Sequence, residues 1–475
     1  MMYSYRDKTR NSLQLLSAGK LIKKTGLFLL LLFYSIEFQV AVAADLSYLE
    51  KILNSDKTPT QSEYLEPVDV VSQRRYRKTS LTREDFTKAR GLYAIANSMN
   101  LSGGNLSLGD FERVVLYVKA YRSKKHRNWF HKAKDKYVHP DESWLKVPVH
   151  FLSNGHVYIH FKNFDPSRKK GGYKVFSRSI DFDTGDVYAN LVVDVMKKKD
   201  GLNTLAELEI MDDLRAVPMA LSFRDVSIYT GHSKLALPGS LVRKISIQAA
   251  LYDHDLGVYY EQKPALLHSI WLTLKAARSL RQVHEKGYVH RDVKPGNFFI
   301  RGSQGSFGFV IADFGLSEHY QGEGFGKKLS GTRGYMAPEI CDRRMRKEPS
   351  FRTLSDGIDA DVFSLGMTFW SLLKGRRTPL RSILTELNGI ALPKDKSITP
   401  DRNTFNFKLN TYKKEYKQSR PSRYRVISVN DQALYSYESA LWQLLTPEPE
   451  KRITLDEFIS DLEEVLDILN VQFVS

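Results

Sequence analysis

The chain has 475 residues, 42% of them hydrophobic and 12% aromatic, which is enough to bury a sizeable core and excludes a disordered or low-complexity protein. The balance of 71 basic against 54 acidic residues leaves a formal charge of +17, which suits anionic partners without choosing among phosphates, acidic proteins and membrane surfaces. One cysteine, Cys341, excludes an intramolecular disulfide and any cysteine-built metal site.

In chain order, Lys20, Lys23 and Lys24 precede an apolar run from Leu27 to Ile36, and Ala41, Val42, Ala43 and Ala44 follow it. These are the three parts of an export signal over residues 1–43. An uncleaved anchor is the other reading, although Glu37 and Gln39 interrupt a run that would need about 20 apolar residues to span a bilayer. Either reading puts the carboxyl side across a membrane, because the positive charges come first. Residues 44–146 form a basic amino-terminal region in which Val114, Tyr117, Val118 and Tyr121 recur as one face of a helix. Within it, residues 121–136 interleave Trp129 and Phe130 with lysines and arginines. An anionic surface or an acidic partner would suit this stretch, a solvated helix face would produce it too, and it gives no clear sign of nucleic acid.

From Val147 the pattern changes to alternation. VPVHFLSNGHVYIHF predicts two short strands around Asn154-Gly155, YKVFSRSIDF a third, and VYANLVVDV a fourth after a turn at Asp183-Thr184-Gly185-Asp186. LNTLAELEIMDDL predicts a helix with Leu205, Leu208 and Met211 on one face. From about Ala265 helical periodicity dominates, as in LLHSIWLTLKAARSLRQVHEKG and LDEFISDLEEVLDIL. The fold class is α+β, with a small β-rich lobe (about 147–252) ahead of a larger helical lobe (about 253–475).

Three stretches of the helical half carry chemistry: YVHRDVKPGNFFI from Tyr288, IADFGLS from Ile311, and SGTRGYMAPE from Ser330. Phosphoryl transfer from a nucleotide needs a carboxylate to accept the hydroxyl proton, ligands for Mg²⁺ and cations to offset developing charge, and these stretches supply such groups. The succession HRDxKxxN, DFG and APE is far more specific than a lone glycine motif.

On these motifs the chain resembles the eukaryotic-type protein kinases from about residue 150 to 470, which implies a bilobal fold, ATP and Mg²⁺ as cofactors and a protein substrate. The resemblance makes Asp292 the catalytic base, Lys294 the cation on the transferred group, Asn297 and Asp313 the metal ligands, and Thr332 the residue that orients the base. Lys294 and the GTxxYxAPE form point to serine or threonine acceptors. The resemblance pairs Glu339 with Arg452, makes Asp361 the anchor of the catalytic loop, and stacks His290 and Phe314 against Met211. It places the adenine hinge near Ala250 to Asp255, with Asp255 beside the ribose. Arg291 is of the type that pairs with a phosphate in the segment between Phe314 and Ala337, and Ser317, Tyr320 and Ser330 are hydroxyls there, Ser330 being the candidate autophosphorylation site.

The lysine that grips the phosphates is missing from its usual frame. VYANL puts Leu191 at that position, and an aliphatic side chain cannot neutralise phosphate. Lys174, on the preceding strand, resembles the arrangement of the with-no-lysine kinases. A flexible lysine stem can reach across strands that lie about 4.8 Å apart. Lys197 is the alternative, although few residues separate it from Glu207, the implied partner on the helix. The glycine loop is abbreviated to Gly171 and Gly172. Two functions therefore stand side by side: an active serine/threonine kinase, and a pseudokinase scaffold that binds a partner or nucleotide without transfer. With the export signal, the first would be an exported kinase, which would find ATP either as a bacterial effector delivered into a host cell or as a lumenal kinase of a secretory pathway.

Overall fold

The computed structural model describes residues 80–122, 145–373 and 428–469, with Leu46, Glu50 and Thr411 besides, apart from short stretches at 153–154, 162–163, 168, 172–173, 231–241, 303–306, 322–325, 327–330, 333 and 346–347. The export signal, most of the basic stretch 121–136, Gly172 and Ser330 lie outside the described residues. Among the described residues no helix is long and apolar enough to cross a membrane. The chain divides into two compact units, the first taking residues up to 186 with 190–205 and 225–248, and the second taking 187–189, 206–224 and 249 onward.

The first unit opens with two helices, α1 (Arg83–Ser98) and α2 (Leu108–Arg122). Thr82 and Asp85 close a reciprocal capping box at the start of α1, which satisfies amide groups that a helix end otherwise leaves unpaired. The helical face expected at Val114, Tyr117 and Val118 is buried on α2. Strands β1 (Val149–Phe151) and β2 (Val157–His160) form the expected antiparallel hairpin, with Gly155 in the left-handed region at φ +90°. β3 (Lys169–Gly171), β4 (Lys174–Asp181), β5 (Val187–Asp194), β6 (Phe223–Thr230) and β7 (Val242–Ala250) complete a sheet of order β1-β2-β4-β5-β7-β6.

β2 and β3 pair with different ends of β4. His160 lies opposite Ser179, whereas Lys169 lies opposite Phe176. The residues between them leave the ladder, and Asp165 holds that interruption: it accepts Ser167 N–H at 2.9 Å, Arg178 N–H at 2.8 Å and Arg178 Nη2 at 2.6 Å. Burial alone would raise the Asp165 pKa, but the hydrogen bonds from Arg178 and Ser167 outweigh it and hold the carboxyl below its ordinary value. Arg178 also donates to the carbonyls of Met99 at 2.8 Å and Asn100 at 3.3 Å, so the end of α1 is tied to β4. The fully buried Phe111 of α2 stacks on Phe161 at 6.4 Å, and Arg122 forks onto both oxygens of Asp183 at 2.7 Å. The amino-terminal helices α1 and α2 thus share one core with the sheet.

The second unit is mainly helical. α3 (Lys198–Asp213) crosses into it from the first and buries Leu205, Leu208 and Met211, the predicted face. The short β8 (His254–Asp255) and α4 (Leu256–Tyr259) precede α5 (Leu266–Glu285). Short strands β9 (Tyr288–Val289), β10 (Phe298–Arg301), β11 (Gly308–Ile311) and β12 (Glu318–His319) follow, then helices α6 (Pro338–Met345), α7 (Leu354–Leu373), α8 (Val429–Leu444) and α9 (Leu455–Ile468). α7 is apolar nearly all round and sits at the centre of the unit, as a helix without a polar face must.

Candidate active site

The loop of residues 290–297 between β9 and β10 is suspended from α7. Asp361, 1% exposed, accepts the N–H of His290 at 2.7 Å, the N–H of Arg291 at 2.8 Å and a contact from His284 Nε2 at 2.9 Å. A buried carboxylate is tolerated only when donors surround it, and here those donors are the loop's own backbone. The anchor also holds Arg291 in the left-handed region at φ +68°, a conformation that costs a side-chain-bearing residue roughly 1–3 kcal/mol. The role of His284 was not legible in the sequence, since 77 positions separate it from Asp361.

Asp292 is 6% exposed and both its carboxylate oxygens are held. Oδ1 accepts Thr332 N–H at 2.9 Å and Thr332 Oγ1 at 2.6 Å, while Oδ2 accepts Lys294 Nζ at 2.5 Å. Lys294 reaches Thr332 Oγ1 as well, at 3.1 Å. Asn297 donates its amide nitrogen to the Asp292 carbonyl at 2.8 Å and to Oδ2 at 3.3 Å, and its own carbonyl accepts Ala312 N–H at 2.8 Å. Four of the sequence-derived candidates, Asp292, Lys294, Asn297 and Thr332, therefore form one hydrogen-bonded cluster. A small recess lies beside Asp292 and Thr332, walled by Tyr335, Met336 and Phe351.

Asp313 stands at φ +66° ahead of a short turn at Phe314–Leu316. A Cβ added to Gly315 would come within 3.3 Å of Glu207 Oε2 and 3.6 Å of Asp313 Oδ1, so glycine there lets two carboxylates converge on one stretch of backbone. That concentration of negative charge favours a cation. The residues fit Mg²⁺: Asp313 offers a carboxylate, and because the Asn297 nitrogen is committed to Asp292, its amide oxygen is the atom able to ligate a hard cation. Mg²⁺ keeps several waters and takes only one or two protein oxygens plus substrate phosphates.

The surrounding residues are placed as follows. The His290 ring meets Phe314 edge-on at 5.4 Å and its Nε2 contacts the Ala312 carbonyl at 3.0 Å; Met211 is buried. Arg452 forks onto Glu339 at 2.8 and 3.2 Å. Arg291 is ion-paired with Glu318, and although burial pulls the guanidinium pKa down, this pairing offsets part of the effect. Asp255 caps α4, its Oδ1 accepting Val258 N–H at 3.0 Å, so one oxygen of the expected ribose contact already has a structural task. Ser317 is buried and donates to the His290 carbonyl at 3.2 Å, whereas Tyr320 is exposed.

On the first unit, Lys174 opens β4 directly across the register from Gly171. β4 and β5 are neighbours in the sheet, and Leu191 lies within β5. Lys197 is exposed, lies beyond the end of β5, and donates its backbone N–H to Asp200 Oδ2 at 2.9 Å; it is a helix-start residue and not a strand residue.

Comparison with known proteins agrees with the motifs. The protein kinase domain family matches residues 170–462. The chain is 26% identical over 213 residues to calcium/calmodulin-dependent protein kinase type I of Schizosaccharomyces pombe, a match that covers 43% of this chain and 57% of that protein. It is 28% identical over 215 residues to mitogen-activated protein kinase 14 of Arabidopsis thaliana, covering 44% and 52%, and 29% identical over 139 residues to serine/threonine-protein kinase nekl-2 of Caenorhabditis elegans, covering 29% and 34%. The chain thus spans between a third and just over half the length of these relatives.

Proposed function

Because the chain belongs to the protein kinase domain family, we propose that it transfers the γ-phosphate of ATP to serine or threonine hydroxyls of a protein substrate. The observation that carries this reading is the intact hydrogen-bonded cluster of Asp292, Lys294, Asn297 and Thr332. The Asp292 carboxylate lies at the recess wall, where it accepts the acceptor hydroxyl's proton as oxygen bonds to phosphorus and ADP departs. Lys294 and Thr332 fix the direction in which that carboxylate points and offset charge gathered on the transferred group. Asn297 and Asp313 would hold Mg²⁺, which would supply positive charge against the phosphate oxygens.

Lys174 supplies the phosphate lysine in place of Leu191. Two features support this: β4 lies beside β5 in the sheet, and Lys197 lies off the strand at a helix start. The apolar run after Lys20–Lys24 supports export of the chain, with delivery into a host cell as the route to ATP.

The test is incorporation of labelled γ-phosphate by the full chain with Mg²⁺ and a generic basic protein, beside Asp292→Asn, Lys174→Met and Lys197→Met. Loss in the first two variants and retention in Lys197→Met is the expected outcome. Loss with Lys197→Met alone would move the phosphate lysine there. ATP-dependent thermal stabilisation without any incorporation would make the chain a scaffold.

A further inference from the structure

Arg291 follows His290 on the catalytic loop, its side chain is 2% exposed, and its guanidinium is paired with Glu318. The other oxygen of that carboxylate accepts the backbone N–H of Gly326 at 2.8 Å. One acid thus bridges the arginine beside the base and the backbone of the segment between Phe314 and Ala337. Its place is set by main-chain pairing: β12 runs antiparallel to β9 with Glu318 opposite Val289, two residues before Arg291. The guanidinium also lies over the Phe351 ring, 5.4 Å from its centroid. A phosphorylated hydroxyl, expected here from the sequence, would use the same kinds of donor, a guanidinium and a backbone N–H. The structure instead gives both to a carboxylate of the chain.

We propose that Glu318 is a positioning residue that takes the place of an activating phosphate: by holding Arg291 and Gly326 together it assembles the catalytic loop and its following segment without phosphorylation of Ser330, Tyr320 or another hydroxyl of that segment. The idea rests on the phosphotransfer reading for its consequence, since an ordered segment matters only if a hydroxyl must be presented to Asp292. A buried arginine needs an anionic partner, so Glu318 also removes the vacancy that a phosphate would otherwise fill.

The test compares phosphatase-treated wild type, Glu318→Gln and Glu318→Asp as full chains, reading kcat and the ATP KM separately and hydrogen exchange in peptides containing Gly326. Phosphatase-treated wild type, shown by mass spectrometry to carry no phosphate, keeps its rate. Glu318→Gln loses about ten- to a hundredfold in kcat with little change in the ATP KM and exchanges faster at Gly326, because misplacement of a catalytic group is read in kcat. Glu318→Asp, which keeps the charge, recovers part of the rate. Loss of activity on dephosphorylation with recovery on rephosphorylation overturns the proposal, as does a Glu318→Gln rate equal to wild type. If the wild type transfers no phosphate, the kinase reading fails by itself, and unchanged exchange at Gly326 in Glu318→Gln or, should that variant not fold, in Glu318→Ala would still sink the role given to Glu318.

Discussion

The loop around Asp292 and the strands β3 to β5, where the phosphate lysine is expected, make opposite use of their residues. Around Asp292 each carboxylate oxygen has a partner within hydrogen-bond distance and the loop's backbone hangs from one buried aspartate. In these strands, the β3–β4 hairpin pairs only three residues a side, Gly171 is the one loop glycine described, and β5 carries a leucine at the frame position of the lysine. The difference follows from what each group must do. A carboxylate that accepts a proton has to stand within hydrogen-bond reach of the hydroxyl, so neither its position nor its supports can drift. A cation that offsets phosphate charge acts over a longer range on a flexible stem, so it can be supplied from the neighbouring strand.

If that contrast holds, Asp292→Asn lowers kcat by about 10²–10⁴-fold while leaving ATP affinity nearly unchanged, because the proton acceptor is lost and no phosphate contact is. Titration calorimetry with ATP and Mg²⁺ beside the rate assay would separate the two. Lys174→Met instead weakens ATP binding as well as transfer, a split that Asp292→Asn does not show.

Next in size are effects on the first unit. Asp165→Ala leaves the Arg178 guanidinium, 14% exposed, without its buried partner and lowers stability by about 3–5 kcal/mol in urea unfolding. The same pair sets a pH dependence. The Asp165 pKa is held below its ordinary value in the folded chain, so the stability it contributes is present above the unfolded pKa of about 4 and is lost as pH falls through the lower folded value. The melting-temperature gap between wild type and Asp165→Asn therefore narrows on acidification from about pH 6 to about pH 3. Arg122→Ala is the smallest effect, roughly 1 kcal/mol or less, since both partners of the Arg122–Asp183 fork are more than a third exposed and solvent screens them.

What could be read in the sequence was whatever depends on near neighbours. The Asn154-Gly155 hairpin, the Asp183–Asp186 turn, the buried faces of α2 and α3 and the long helices α5 and α9 all follow from periodicity and turn chemistry over a few residues. The catalytic motifs were legible for the same reason, since Asp292, Lys294 and Asn297 form their hydrogen bonds across five positions of one loop. Tertiary structure decided the rest. It made Asp255 a helix cap, joined α1 and α2 to the sheet through Arg178 and Asp183, split one strand partner of β4 into β2 and β3, and gave the Arg291 guanidinium to Glu318. The ties made by Arg178, Asp183 and Glu318 need a backbone carbonyl or a charge 27 to 79 positions away. Composition and periodicity carry no record of such distances, because a buried ion pair is selected by which groups the packed core leaves without water.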